Sequence, residues 1–114
     1  MTKNPLVYIE HILDSIDTVE EYTKKVSKQQ FLSSKQIQDS VVRRIEIIGE
    51  AVKNIPDHVR EKYPAVPWKS IAGMRDKIVH EYFSIDFELA WVVAKKELPR
   101  LKKNMIIIKK ELAQ

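Results

Sequence analysis

A chain of 114 residues, 44% hydrophobic and 32% charged, is long enough for one domain with a modest core, residues 1–114, and too short for two. It has no cysteine, which excludes disulfides and thiolate chemistry and suits a reducing compartment. Neither Met1-Thr2-Lys3-Asn4-Pro5 nor any later stretch opens an apolar run long enough for a signal peptide or a membrane span, so the expectation is a cytoplasmic protein with no membrane partner.

The net charge of +4 is unevenly placed. From Trp91 onward Lys95, Lys96, Arg100, Lys102, Lys103, Lys109 and Lys110 outnumber Glu97 and Glu111. Such an end suits a polyanionic partner, although a solvated lysine face is the commoner use of the pattern.

With only two glycines and five prolines, and apolar residues recurring at three- and four-residue steps, the pattern predicts helix nearly throughout. A first helix opens after Asn4 with Pro5 in its first turn, where a missing N–H costs nothing. Its stripe is Ile9, Ile12, Ile16, Val19 and Val26, with Thr23 in the remaining slot. Glu10, Asp14, Asp17 and Glu21 take the opposite side; without a Glu-x-x-His they read as a solvated acidic face, and no metal site is expected. Lys28-Gln29-Gln30-Phe31 breaks the pattern, and Ser33 or Ser34 offers a cap for a second helix with the seam Ile37, Val41, Ile45, Ile48, Val52 and Ile55. Gly49 inside that helix costs ~1 kcal/mol relative to alanine, which predicts a second backbone passing close by. Glu46 and Glu50 stand off the seam, either facing solvent or supplying a carboxylate to a neighbouring helix.

Pro56 ends the second helix, and a short turn runs from Asp57 to Tyr63. A third helix is predicted from between Pro67 and Ser70 through Tyr82, anchored by Trp68, with Gly73 on its far side admitting a close approach. Phe83-Ser84-Ile85-Asp86 reads as a connection, with Ser84 or Asp86 capping the last helix. That helix has the cleanest seam: Phe87, Trp91, Ala94, Leu98, Leu101, Met105, Ile108 and Leu112. Pro99 leaves the carbonyl of Lys95 without its donor and predicts a kink there. Val92, Val93, Ile106 and Ile107 lie outside the seam and suggest a dimer surface. The expected architecture is all-α: an antiparallel four-helix bundle with a short additional helix or turn, dimeric.

The stretch Met74-Arg75-Asp76-Lys77-Ile78-Val79-His80-Glu81-Tyr82 carries the chemistry. On one continuous helix Arg75 falls about 40° from Ile71, inside the apolar arc, and a charge buried there requires an anionic partner, carboxylate or phosphate. Tyr82 lies on nearly the same line as Arg75, and Asp76 and His80 form an i,i+4 pair elsewhere on the wheel. Arg75 and His80 are roughly 140° apart, so they meet one substrate only if the arginine arm wraps round, the helix loosens near His80, or a second copy completes the site. Ordinary uses exist for each: Tyr82 as a core tyrosine, Arg75 paired with Glu46 or Glu50. His11 and His58 have no partners at catalytic or metal spacing and read as structural.

The pattern R-x(4)-H-x-Y formed by Arg75, His80 and Tyr82, set within Trp68-Lys69-Ser70-Ile71-Ala72-Gly73-Met74-Arg75 and His80-Glu81-Tyr82-Phe83, resembles the HepT-like toxins (the DUF86 family) of the HEPN superfamily. The resemblance extends to Ile48-Gly49-Glu50-Ala51 and to Trp91 and Leu98-Pro99 in the last helix. It implies a dimeric helical protein in which two copies of the motif line one cleft and cleave RNA without a metal or cofactor. It also implies a partner, an MNT-type nucleotidyltransferase antitoxin, that neutralises the toxin by AMPylation of Tyr82. Asp76 matches the polar residue that often follows the arginine in this superfamily.

The chemistry is sensible in itself: His80 can move the protons of 2′-OH attack, Arg75 can hold the phosphate charge, and Asp76 can orient the imidazole. The alternative is a non-enzymatic binding module that docks on a nucleotidyltransferase or holds a nucleotide. A DNA-binding role for the basic last helix ranks behind both, since no helix shows polar base-reading residues.

Overall fold

The computed structural model describes residues 4–81 and 84–114, and it is mainly helical. Helix α1 (Pro5–Thr23) begins as expected, with the Asn4 side chain accepting from the Leu6 N–H at 3.0 Å and Pro5 at the first helical position. Ile9, Ile12, Ile16, Val19 and Thr23 are buried, while Val26 falls beyond the end of the helix and is only partly covered. The interruption at residues 28–31 is itself a short helix, α2 (Lys28–Ser33). Ser27 and Gln30 form a reciprocal capping box at its start, and it delivers Phe31 into the core against Trp91.

Helix α3 (Lys35–Lys53) is capped by Ser34 and buries Val41, Ile45, Ile48 and Val52, with Ile55 just past its end. It packs along α1 and also receives the short helices that follow. After α4 (Asp57–Arg60) the chain reaches Trp68, whose indole N–H is shared between the carbonyls of Tyr63 at 3.0 Å and Arg60 at 3.2 Å. That tie fixes the start of α5 (Trp68–Ala72).

The helix expected to run unbroken to Tyr82 does not. It stops at Gly73, restarts as α6 (Met74–Ile78), and gives way to an antiparallel pair of short strands, β1 (Val79–Glu81) and β2 (Ser84–Ile85). Tyr82 lies outside the described residues, as does Phe83. The expectation of a close approach at Gly73 fails, since a Cβ there would meet only Lys69 and Ser70 carbonyls at 3.6 and 3.9 Å, ordinary contact. The close approach is at Gly49: a Cβ would lie 3.2 Å from the carbonyl oxygen of Ala72, so glycine lets the end of α5 sit on α3.

Asp86 caps the last helical run by accepting from the Leu89 N–H at 3.0 Å. The run comprises α7 (Phe87–Val92), a π-helical turn at Val93–Glu97, and α8 (Leu98–Leu112). The wide turn holds Lys95, the residue whose carbonyl Pro99 deprives of a donor, so the proline's effect appears as a π-bulge. The bulge aims Lys95 at the C-terminal end of α1, where its ammonium donates to the Thr23 carbonyl at 3.1 Å and lies 5.1 Å from the centre of the Trp91 ring. Val93 belongs to the core rather than to the surface set, whereas Val92, Ile106 and Ile107 are exposed. Three long helical units, α1, α3 and α7–α8, therefore build the core, and the broken α5–α6 segment packs where the third long helix of a simple bundle was expected.

Candidate phosphate-binding groove and the His80 strand

Helix α6 places Met74 and Ile78 in the core, so the residues between them face outward. Arg75 is one of these, its side chain 46% exposed. The expectation that it lies in the buried arc is corrected here: the break at Gly73, where ψ is 3°, resets the helix azimuth, and counting from Ile71 no longer applies. Its guanidinium is held at two corners. Nε lies 3.5 Å from Oε2 of Glu46, itself 34% exposed, and Nη1 lies 3.4 Å from Oδ1 of Asp76. Strong charge-assisted pairs close to about 2.7–2.9 Å, so both contacts are loose, and half-exposed pairs of this kind contribute only ~0–1 kcal/mol. A phosphate could take their place at little cost.

Arg75 stands at the edge of a polar cavity of about 300 Å³ shared with Arg43, Glu46, Glu50, Lys53 and Asp76, with Gly49 and Ala72 beneath. Lys53 pairs with Glu50 at 3.2 Å, whereas Arg43 makes no ion pair among the described residues. Glu46 thus does reach the Arg75 segment, while Glu50 is exposed and pairs within its own helix, so the two take the two uses the sequence left open for them.

His80 lies in β1, between buried Val79 and exposed Glu81, and is itself exposed. Because α6 ends at Ile78, the expected i,i+4 pairing of Asp76 with His80 does not form; Asp76 turns to Arg75 instead. His80 does not line the Arg75 cavity. A single chain therefore brings Arg75, Asp76 and Glu46 together and leaves the imidazole on the adjoining strand. His11 and His58 are both exposed, and among the described residues no three His, Cys, Asp or Glu side chains converge as metal ligands.

Sequence reasoning missed two features. The strand pair had a signal, the β-branched and aromatic content of Val79-His80-Glu81-Tyr82-Phe83-Ser84-Ile85, which the helical count overrode. Arg43 had one as well, since it precedes Glu46 by three residues on one face of α3. The basic C-terminal end proves partly engaged: Lys102 bridges Asp17 and Glu20, each at 3.1 Å, and those bonds, first to Asp17 and then to Glu20, raise its pKa against the opposing effect of burial. Among the described residues no helix is long and apolar enough to cross a membrane.

The fold is thus that of a small helical domain with a cation-bearing groove beside a helix break. The family model described as "Ribonuclease HepT-like" matches residues 12–108. A Methanocaldococcus jannaschii protein described as a gamma-glutamylcyclotransferase with a provisionally assigned RNase is 50% identical over 98% of this chain, which spans about half of that relative's length. A provisionally assigned RNase of Caldanaerobacter subterraneus is 46% identical, with 90% of this chain and 92% of the relative covered. A ribonuclease HepT of Thermococcus cleftensis, likewise provisional, is 42% identical, with 83% and 86% covered. No solved structure matches the chain. The chain belongs to the HepT-like ribonuclease family of the HEPN superfamily.

Proposed function

We propose that this protein is an endoribonuclease that cuts RNA without a metal ion, using Arg75 to hold the scissile phosphate and His80 to move protons. The observation that supports it best is the state of Arg75: half-exposed at a polar groove and held by two carboxylates at 3.4 and 3.5 Å, in a chain whose relatives are named as ribonucleases. In this scheme the RNA 2′-oxygen attacks phosphorus as its proton passes to a base. The P–O5′ bond then breaks, and the departing 5′-oxygen takes a proton from an acid, leaving a 2′,3′-cyclic phosphate. Arg75 stabilises the charge on the phosphoryl oxygens. Asp76 aims Arg75, a role different from orienting His80.

Since His80 does not line the Arg75 groove of its own chain, the proposal includes a homodimer in which the partner subunit supplies the imidazole. We further propose that the protein is the toxin of a toxin–antitoxin pair, silenced when an MNT-type nucleotidyltransferase transfers AMP from ATP to the Tyr82 hydroxyl, which gives up its proton as pyrophosphate leaves. The added phosphodiester would compete for Arg75.

The test is incubation of purified protein with single-stranded RNA in EDTA. Fragments ending in cyclic phosphate are expected, with no cutting of DNA of the same sequence. His80→Ala should slow cleavage by about 10²–10⁴-fold while the far-UV helix signal is kept. Inert wild-type protein, or cleavage indifferent to His80→Ala, overturns the nuclease reading. The silencing scheme is checked by intact mass after co-expression with the nucleotidyltransferase, where AMP additions should map to Tyr82. The separation of His80 from the Arg75 groove also favours a second reading, a non-enzymatic module that docks on the nucleotidyltransferase, and equal inertness of wild type and variant would select it.

A further inference from the structure

The Arg75 groove does not end at Arg43. A second cavity of about 260 Å³ adjoins it across the α3 side chains Arg43, Glu46 and Glu50, which line both, and it extends to Tyr8 and His11 on α1. Tyr8 and His11 stand one turn apart with ring centroids 6.5 Å apart and planes at 88°. Tyr8 is partly buried against the core and so held in place, His11 is exposed, and Ile47 adds an apolar patch. Aromatic walls beside a phosphate-holding groove are what an unstacked base requires.

The polar lining narrows the choice of base. Glu46 meets Arg75 through Oε2 and Glu50 meets Lys53 through Oε1, so each carboxylate has a second oxygen without a partner among the described residues. Asn54 donates its amide N–H to the Glu50 carbonyl at 2.8 Å, and its Oδ1 is an acceptor with no donor among the described residues. The cavity is therefore rich in acceptors. Guanine is the base whose Watson–Crick edge presents ring N–H and amino donors side by side, a match for a carboxylate or amide oxygen. Arg43, which makes no ion pair among the described residues, lines both cavities and is placed to meet the backbone of that nucleotide.

We propose that the Tyr8–His11–Arg43–Glu50 cavity is a guanine-selective base subsite for single-stranded RNA, seating the nucleotide next to the phosphate held by Arg75. The proposal rests on the nuclease reading for its register along the strand and is tested apart from it. Binding of fluorescein-labelled AAGAAA and AAAAAA hexaribonucleotides is measured by anisotropy on the full chain carrying His80→Ala, which prevents cleavage during the measurement. The guanine-containing strand should bind about tenfold more tightly, because only its ring N–H and amino donors meet the carboxylate and amide oxygens. Adding Tyr8→Leu, which keeps the apolar bulk of α1 but removes the stacking face, should abolish that preference. Adding Glu50→Gln, an exposed change that replaces a carboxylate oxygen by an N–H donor, should reduce it. In a cleavage assay with His80 intact, the Tyr8→Leu loss should fall on KM rather than kcat.

Equal affinity for the two strands overturns the subsite, and so does a preference untouched by both substitutions, even if wild-type protein cuts RNA well. A preference lost with Tyr8→Leu and reduced with Glu50→Gln supports the subsite even if no cleavage is ever found, in which case it is the nuclease reading that fails.

Discussion

At the scale of single residues the informative fact is that Arg75 is anchored loosely rather than buried. A charge sealed in a core by an acid is strongly coupled to folding, whereas this one contributes little to stability. Arg75→Ala should therefore shift the urea midpoint by less than about 0.5–1 kcal/mol equivalent while removing most of the proposed activity. Arg75→Lys should not restore that activity. Glu46 and Asp76 engage Nε and Nη1 of a planar fork, and a lysine ammonium offers a single point charge that cannot meet two carboxylates and a phosphate in the same geometry. Comparing urea midpoints with cleavage rates for the two variants checks this, and a large stability loss in Arg75→Ala would mark the arginine as structural. The sequence identifies Arg75 as the cation needing an anion and Glu46 among its partners, but not its exposure, because the helical count from Ile71 runs across Gly73, where the helix breaks.

At the scale of elements a different glycine, Gly49, positions the groove. The approach of α5 to α3 depends on a bare Cα at residue 49, with the Ala72 carbonyl 3.2 Å from where a Cβ would be. Gly49→Val would force the two backbones apart and should destabilise the fold by about 2 kcal/mol, measured by thermal or urea unfolding. If Gly49→Val instead unfolds like wild type, α5 does not rest on α3 as described. The end of α8 is fastened separately: the Tyr63 hydroxyl donates to Glu111 Oε2 at 2.5 Å, and that bond, aided by burial and by the carboxylate charge, raises the tyrosine pKa. With the folded-state value above the ordinary one of about 10, the folded chain holds its phenolic proton to higher pH than the unfolded chain does. This stabilisation is complete below pH ~10 and is lost as pH rises through the folded-state value; the raised Lys102 follows the same sign. Tyr63→Phe should cost about 1 kcal/mol at pH 7 and flatten part of the decline in stability above pH 10, followed by urea unfolding at several pH values. The long helices, their seams, the start of α1 after Asn4 and a short choice of caps, Ser33 or Ser34 and Ser84 or Asp86, were legible because periodicity and capping act locally. The Gly73 break and the β1–β2 pair were not, because strand pairing and the seating of α5 on α3 are tertiary events that override a helical count over a few residues.

At the scale of the whole molecule the proposed mechanism needs an imidazole at the Arg75 groove, and His80 of the same chain does not line it. Ile106 and Ile107 are 50% and 53% exposed and Val92 is exposed as well, apolar surface that a second copy could cover. The proposed dimer makes a prediction that no single-chain nuclease shares. In a two-fold dimer with composite sites, each site takes Arg75 from one subunit and His80 from the other. Arg75→Ala and His80→Ala homodimers should both be inactive. If the two are mixed, dissociated and reassociated at random, half the dimers are hybrids, and each hybrid has one site with both residues intact and one with neither. Activity should return to about a quarter of wild type. If Arg75 and His80 of the same chain act together, every site in the hybrid lacks one residue and mixing restores nothing. Recovery of RNA cleavage on mixing, measured at fixed total protein, thus decides between a groove completed by a second copy and one completed within the chain.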